Sequence, residues 1–293
     1  MNAADEKLKK LILNVTSIPT LPEVVIRVNS LLSDPNTRAM DIAHIISEDP
    51  SLTITLLKVV NSPFYGLPRK IVQIDHAIAI LGFNATHSLL MTTSVLNSFA
   101  SKKKDIEGFS FSKFWTHSLG VATASRLLAP YFGLRSQAED LYVAGLLHDM
   151  GRMIIQQNDP DSFQKVIKTV RKENLRIQDA EKAVLGFSHE DVGSLLASRW
   201  NLPSKLVTVI ASHHNPLQME SYREFAKLSS IVHLADILCK MIDLGHSGDE
   251  KIPVVRLDSW DLLECRFEIL DTVLQQLRQQ RQSIESLSLE AGR

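Results

Sequence analysis

The stretch AGLLHDMGRMII, residues 144–155, constrains this chain more than any other. It reads as the inside of a protein, yet it carries His148 and Asp149 side by side and Arg152 three positions on. A buried polar group without a partner costs roughly 1–3 kcal/mol, and an unpaired charge costs more. A fold that buries this stretch must therefore bring partners to it from elsewhere in the sequence.

The surrounding chain is helical in pattern, and strand signals are nearly absent. In PEVVIRVNSLL, Val24, Val25, Val28, Leu31 and Leu32 fall on one face of a helix, and SDPNT ends it. The next helix begins with Asp49 as N-cap and Pro50 at its first position, where a missing backbone donor does no harm. NSPFYGLP breaks that helix, and IDHAIAILG and ATHSLLMTTSVLNSFA follow as two more, with Gly82 as the stop between them. The lysine run in SKKKDIEGFS, residues 101–110, is offset by Asp105 and Glu107 and reads as a solvated linker. The later blocks are again helical, down to VLQQLRQQRQSIESLSL, an amphipathic helix that suits packing on its own chain or pairing with a partner, the former being the expectation. The expectation is an all-α protein, with an N-terminal helical subdomain over 1–100 packed on a larger helical subdomain over 101–293. Trp115, Trp200, Phe64 and Tyr65 are expected to anchor the core or the junction. The serines of GVATASRLL and VGSLLASRW suit close helix packing.

Composition removes several function classes. The formal net charge is −1, so no global field draws the chain to nucleic acid or to an anionic membrane, and neither is expected as a partner. The two cysteines, Cys239 and Cys265, stand alone in helical contexts and are expected to be reduced. MNAADEKLKKLILNV mixes acids with its lysines and lacks a secretory apolar run, and no stretch approaches the roughly 20 apolar residues of a membrane span. A cytoplasmic location is expected. No phosphate-binding glycine loop, dinucleotide fingerprint or nucleophile elbow occurs.

The histidines carry the remaining chemistry. His117, His148, His189, His213 and His214 stand on or at the ends of helical blocks, in step with Asp149 and Asp236. Imidazole nitrogen and carboxylate oxygen suit Fe, Mn and Zn ions, and coordination offsets the cost of burying them. Neighbours on a helix differ in direction by about 100 degrees, so an adjacent pair such as His148 and Asp149 can serve two flanking ion positions. His44, His76, His87, His233 and His246 lack such neighbours and read as surface or locally satisfied residues. Arg152, Lys113 and Arg199 are the basic residues placed in sequence to meet a phosphate.

These motifs resemble the HDOD family, a bacterial signalling branch of the HD phosphohydrolase superfamily. The resemblance runs from about residue 18 to 215 through IPTLPEVVIRVNSLLSDPNTRAMDIAHIISEDPSLTITLLKVVNSPFYG, IDHAIAILG, FWTHSLGVA, AGLLHDMGRMI, GFSHEDVGSLLASRWNLP and ASHH. It implies a multi-helix HDOD fold in which an HD-like helical subdomain follows the N-terminal one. HDOD domains commonly lose the metal ligands of HD enzymes and act as interaction or regulatory modules, whereas this chain keeps a ligand-type residue at each position of a two-metal centre. By analogy with HD-GYP phosphodiesterases, Asp149 would bridge two divalent ions, Fe or Mn with Zn also suited. His117, His148 and Asp236 would hold one ion, and His189, His213 and His214 the other. Asp149 and Arg152 are the implied catalytic residues. Two departures weaken cyclic dinucleotide hydrolysis: Arg152 stands where HD-GYP enzymes carry lysine, and no Gly-Tyr-Pro follows His213 and His214. The implied function is a regulatory module with a retained metal centre, binding a protein or a phosphate-containing small molecule. The alternative is a metal-dependent phosphohydrolase or phosphodiesterase acting on a nucleotide-type substrate.

Overall fold

The computed structural model describes residues 23–32, 34, 36–61, 70–100, 105–217, 220–249 and 251–290. The N-terminal MNAADEKLKKLILNV segment, most of NSPFYGLP with Phe64 and Tyr65, and Lys102–Lys104 lie outside them. Among the described residues the architecture is helical, with no strand beyond an isolated bridge between Ile106 and Phe109. Two compact units result: Lys102–Gln279 forms one, and Pro19–Ser101 groups with Gln280–Arg293 in the other. The last turns of the C-terminal helix thus fall with the N-terminal residues, where the sequence reading kept everything after 101 together.

The N-terminal unit contains α1 (Glu23–Leu32), α2 (Ala39–Ser47), α3 (Pro50–Val60) and α4 (Ile74–Ala100). The Asp49 carboxylate accepts from the Leu52 backbone N–H at 3.0 Å and so caps α3, with Pro50 as its first residue. Gly82 interrupts α4 at φ 80° and ψ 170°, a conformation that favours glycine, and separates the two helices read from sequence. Val28, Ile42, Ile46, Leu56, Ile78 and Leu89 meet in one apolar cluster. The Asn61 side chain joins the end of α3 to Ile71, accepting from the Ile71 N–H and donating to the Ile71 carbonyl, both at 2.7 Å. One stretch of α4, Ile74–Val95, is long and apolar enough by composition to cross a bilayer, which corrects the expectation that no stretch approaches that length. It is 56% buried within the protein and broken at Gly82, as suits a core helix.

The larger unit begins with α5 (Phe111–Leu128), α6 (Ala138–Leu147), α7 (Met150–Asn158) and α8 (Pro160–Glu173). It continues with α9 (Ile177–Leu185), α10 (His189–Arg199), α11 (Ser204–Ser212), α12 (Ala226–Met241), α13 (Leu257–Leu262) and, up to Gln279, α14 (Phe267–Glu290). Helix α5 is buried nearly all round and packs against α6 and α12, while α10 packs against α7 and α11. Trp115 is fully buried in edge contacts with Phe111 and Phe114, and Trp200 is also buried. Both cysteines are buried free thiols. Helix α14 buries Ile269, Val273, Leu277, Ile284 and Leu287, so the glutamine-rich end is an amphipathic helix packed on its own chain.

Candidate metal centre

The HDMG segment falls at a helix junction. His148 caps the C-terminus of α6 and Asp149 is the N-cap of α7. The His148 Nδ1–H donates to the Gly145 carbonyl, three residues back, at 2.7 Å. His213, at the C-cap of α11, repeats the device, its Nδ1–H donating to Ile210 O at 3.0 Å. Each bond satisfies a carbonyl left over at a helix end, and because a carbonyl can only accept, it fixes the proton on Nδ1 and leaves Nε2 facing inward. The Asp149 side chain forms none of the capping bonds its position invites and turns into the same space.

Gly151 makes this junction possible. A β-carbon there would lie 2.0 Å from the His189 carbonyl oxygen, so only glycine lets the start of α7 rest on the start of α10. His189 is the first residue of α10, aimed by a capping box between Ser188 and Asp191. His117 enters from the middle of α5, and Asp236 from α12.

The seven side chains proposed from sequence converge, and none is more than 7% exposed. The two oxygens of Asp149 face different neighbours. Oδ1 lies 3.2 Å from His189 Nε2 and 3.6 Å from His213 Nε2. Oδ2 lies 3.3 Å from His148 Nε2 and 4.0 Å from His117 Nε2. His117 Nε2 in turn lies 3.0 Å from Asp236 Oδ1, and His214 Nε2 lies 3.1 Å from His189 Nε2. Two groups result in which ligand atoms lie within 4.8 Å of one another: Asp149 with His189, His213 and His214, and His117 with His148 and Asp236.

Close as they are, these atoms do not satisfy one another. Both nitrogens of His117, His148 Nε2, Asp149 Oδ1 and Asp236 Oδ1 are buried without a hydrogen-bond partner. Each such orphan, left unsatisfied, costs roughly 1–3 kcal/mol. His117, His148 and Asp236 each offer one ligand atom, all within 4.8 Å of one another, and such a donor set fits a divalent cation.

The charged groups around the set were only partly foreseen. Arg152, on α7, is fully buried; its Nη1 donates to Asp149 Oδ2 at 2.5 Å and to Ser247 Oγ at 2.6 Å. Its Nη2 lies 3.3 Å from His189 Nε2 and 3.5 Å from His214 Nε2. Lys113 and Arg199, grouped with Arg152 in the sequence reading, are exposed. Lys240, which that reading passed over, lies instead between Asp236 and Asp249, at 3.0 and 3.3 Å. Its spacing of four from Asp236 on one helix was the available signal. Glu181 was also missed; its Oε2 accepts from both the Nδ1–H of His189, at 2.6 Å, and the His189 backbone N–H, at 2.8 Å. His233 is buried rather than superficial and donates from Nδ1 to the His213 carbonyl at 3.0 Å.

Protonation follows from these contacts. Burial alone would raise the Asp149 carboxyl, but Arg152 and the imidazoles outweigh it and hold the group well below the usual range. Asp236 is held low in the same way by Lys240 and His117. Burial pushes His213 down to about 3 and His214 far below its ordinary value, so both are neutral. At His189 burial and Arg152 oppose the charge, yet the carboxylates of Glu181 and Asp149 prevail and raise the ring to about 9.

A helical unit that closes around a His–Asp pair, four further histidines and a second aspartate defines a class of buried histidine–carboxylate proteins. The HDOD domain matches residues 18–216, and the chain belongs to the HDOD family. An HDOD domain protein of unknown function from Geobacter sulfurreducens is 28% identical with a TM-score of 0.82, over 98% of this chain and 97% of its own. A protein of Shewanella amazonensis SB2B, described as a candidate phosphohydrolase, is 22% identical with a TM-score of 0.74, over 99% and 98%; that likeness is one of fold. An uncharacterized protein of Treponema pallidum (strain Nichols) is 28% identical over 243 residues, which is 82% of this chain. The chain spans about half, 45%, of the length of that curated relative.

Proposed function

We propose that this chain is an HDOD signalling module with an HD-type metal centre, used to sense or capture a protein partner or a phosphate-containing small molecule. The observation that carries the metal is the set of buried ligand atoms without partners. His117, His148 and Asp236 would hold one divalent ion, His189, His213 and His214 a second, with Asp149 between them. Fe and Mn suit this mixed histidine and carboxylate set, and Zn does as well. A regulatory role is favoured over turnover because every ligand side chain is buried and the Arg152 guanidinium is packed among them, whereas a catalytic centre keeps an open position.

A metal-dependent phosphohydrolase acting on a nucleotide-type substrate is the second reading. It is favoured by the two oxygens of Asp149 facing the two groups. When bound, a pair of ions would lower the pKa of water and neutralise charge on phosphoryl oxygens. In that reading Asp149 holds the ions in register and Arg152 orients Asp149, as its bond to Oδ2 already does.

Elemental analysis of untagged protein purified without added metal or chelator tests the proposal. Bound Fe, Mn or Zn, lost in Asp149→Ala, is the expected result. Folded wild-type protein free of metal would overturn it, and phosphodiester turnover by the loaded protein would favour the second reading.

A further inference from the structure

The two groups of ligand atoms do not stand in equal surroundings. Nη2 of Arg152 lies against the imidazoles of one of them, 3.3 Å from His189 Nε2 and 3.5 Å from His214 Nε2, while Nη1 bonds Asp149 Oδ2, the oxygen that faces His148 and His117. Those two imidazole nitrogens are atoms an ion on that side needs. The guanidinium cannot give up its charge, and it is pinned by Asp149 Oδ2, by Ser247 Oγ and by the Ser247 carbonyl at 3.1 Å. The other group also has a cation nearby, but Lys240 binds the outer oxygen of Asp236, Oδ2, and leaves Oδ1 without a hydrogen-bond partner beside His117.

Resting on the metal-centre reading above, we propose that Arg152 is a tethered cation that takes part of the His189–His213–His214 position, so that the two positions load unequally. The His117–His148–Asp236 side, whose imidazoles the guanidinium leaves open, takes the resident ion. The other side takes an ion only weakly while the guanidinium is in place. Arg152 is thus a positioning residue that sets the ion count of the centre.

The test strips the full chain with chelator, reloads it with Mn²⁺ and counts bound ions, following free Mn²⁺ by electron paramagnetic resonance. Wild type is expected to bind about one ion tightly, with a second step weaker by at least about tenfold, and Arg152→Met is expected to bind about two in comparable steps. Two ions in one step in the wild type overturn the inference and leave the metal-centre reading intact. A count of one in both proteins overturns it as well, since Arg152 would not be what limits loading. No ion in either protein defeats the underlying reading. Should Arg152→Met not fold, the wild-type titration decides alone, because equal steps exclude a guarded position.

Discussion

Replacing Asp149 by alanine removes one half of a fully buried ion pair and strands the other. Arg152 Nη1 lies 2.5 Å from Asp149 Oδ2, and both side chains are at most 1% exposed. Breaking a buried pair from one side costs about 3–5 kcal/mol, because the remaining charge stays desolvated. Here the lower end applies. Ser247 still accepts two of the guanidinium hydrogen bonds, and Glu181 remains 3.9 Å from Nε. In a unit of this size a loss of about 3 kcal/mol lowers the melting temperature by roughly 6–12 °C. The assay is thermal unfolding in excess chelator, so that lost metal does not enter the difference. Adding Arg152→Met to Asp149→Ala should recover part of the loss, since both charges are then gone and only a packing defect is left. A metal-free Asp149→Ala protein within about 1 kcal/mol of wild type would refute the reasoning, for the pair could then not be buried as described.

Three further outcomes are expected. Glu181→Gln takes away the carboxylate that receives the His189 Nδ1–H, and should weaken metal binding by about 10–100-fold with little change in fold, read by competition with a chromophoric chelator. In the metal-free chain His189 is raised from 6.5 to about 9, so its contribution to stability is full below pH 6.5 and is lost as pH rises through about 9. That is about 3 kcal/mol, visible as a falling urea midpoint that Glu181→Gln should flatten; a midpoint independent of pH over this window would contradict it. Gly151→Ala drives a methyl group against the His189 carbonyl and should cost about 3 kcal/mol or yield no folded protein, whereas an unchanged midpoint would mean that α7 and α10 do not meet there.

Some of this protein is written locally and could be read without coordinates. The apolar period of α1, the Asp49–Pro50 start of α3 and the Gly82 break in α4 each depend on a few adjacent residues, and the structure shows each of them. The seven ligand-type residues were legible for a related reason, because ionisable groups inside apolar helices need a common explanation.

What surrounds those residues was not legible. A helical period fixes where a side chain points relative to its own axis and says nothing of what another helix brings to meet it. Lys113 and Arg199 stood near the motifs in sequence yet are exposed, while Glu181, Asp249 and Ser247 arrive from other parts of the chain. The sequence by itself determined the helices and the chemical types that must be buried. Only the tertiary structure, through the close approach of α7 to α10 at Gly151, decided which oxygen of Asp149 faces which imidazoles and which group Arg152 guards. Those relations are distances between helices far apart in the chain, and burial removes the water that would otherwise make them indifferent.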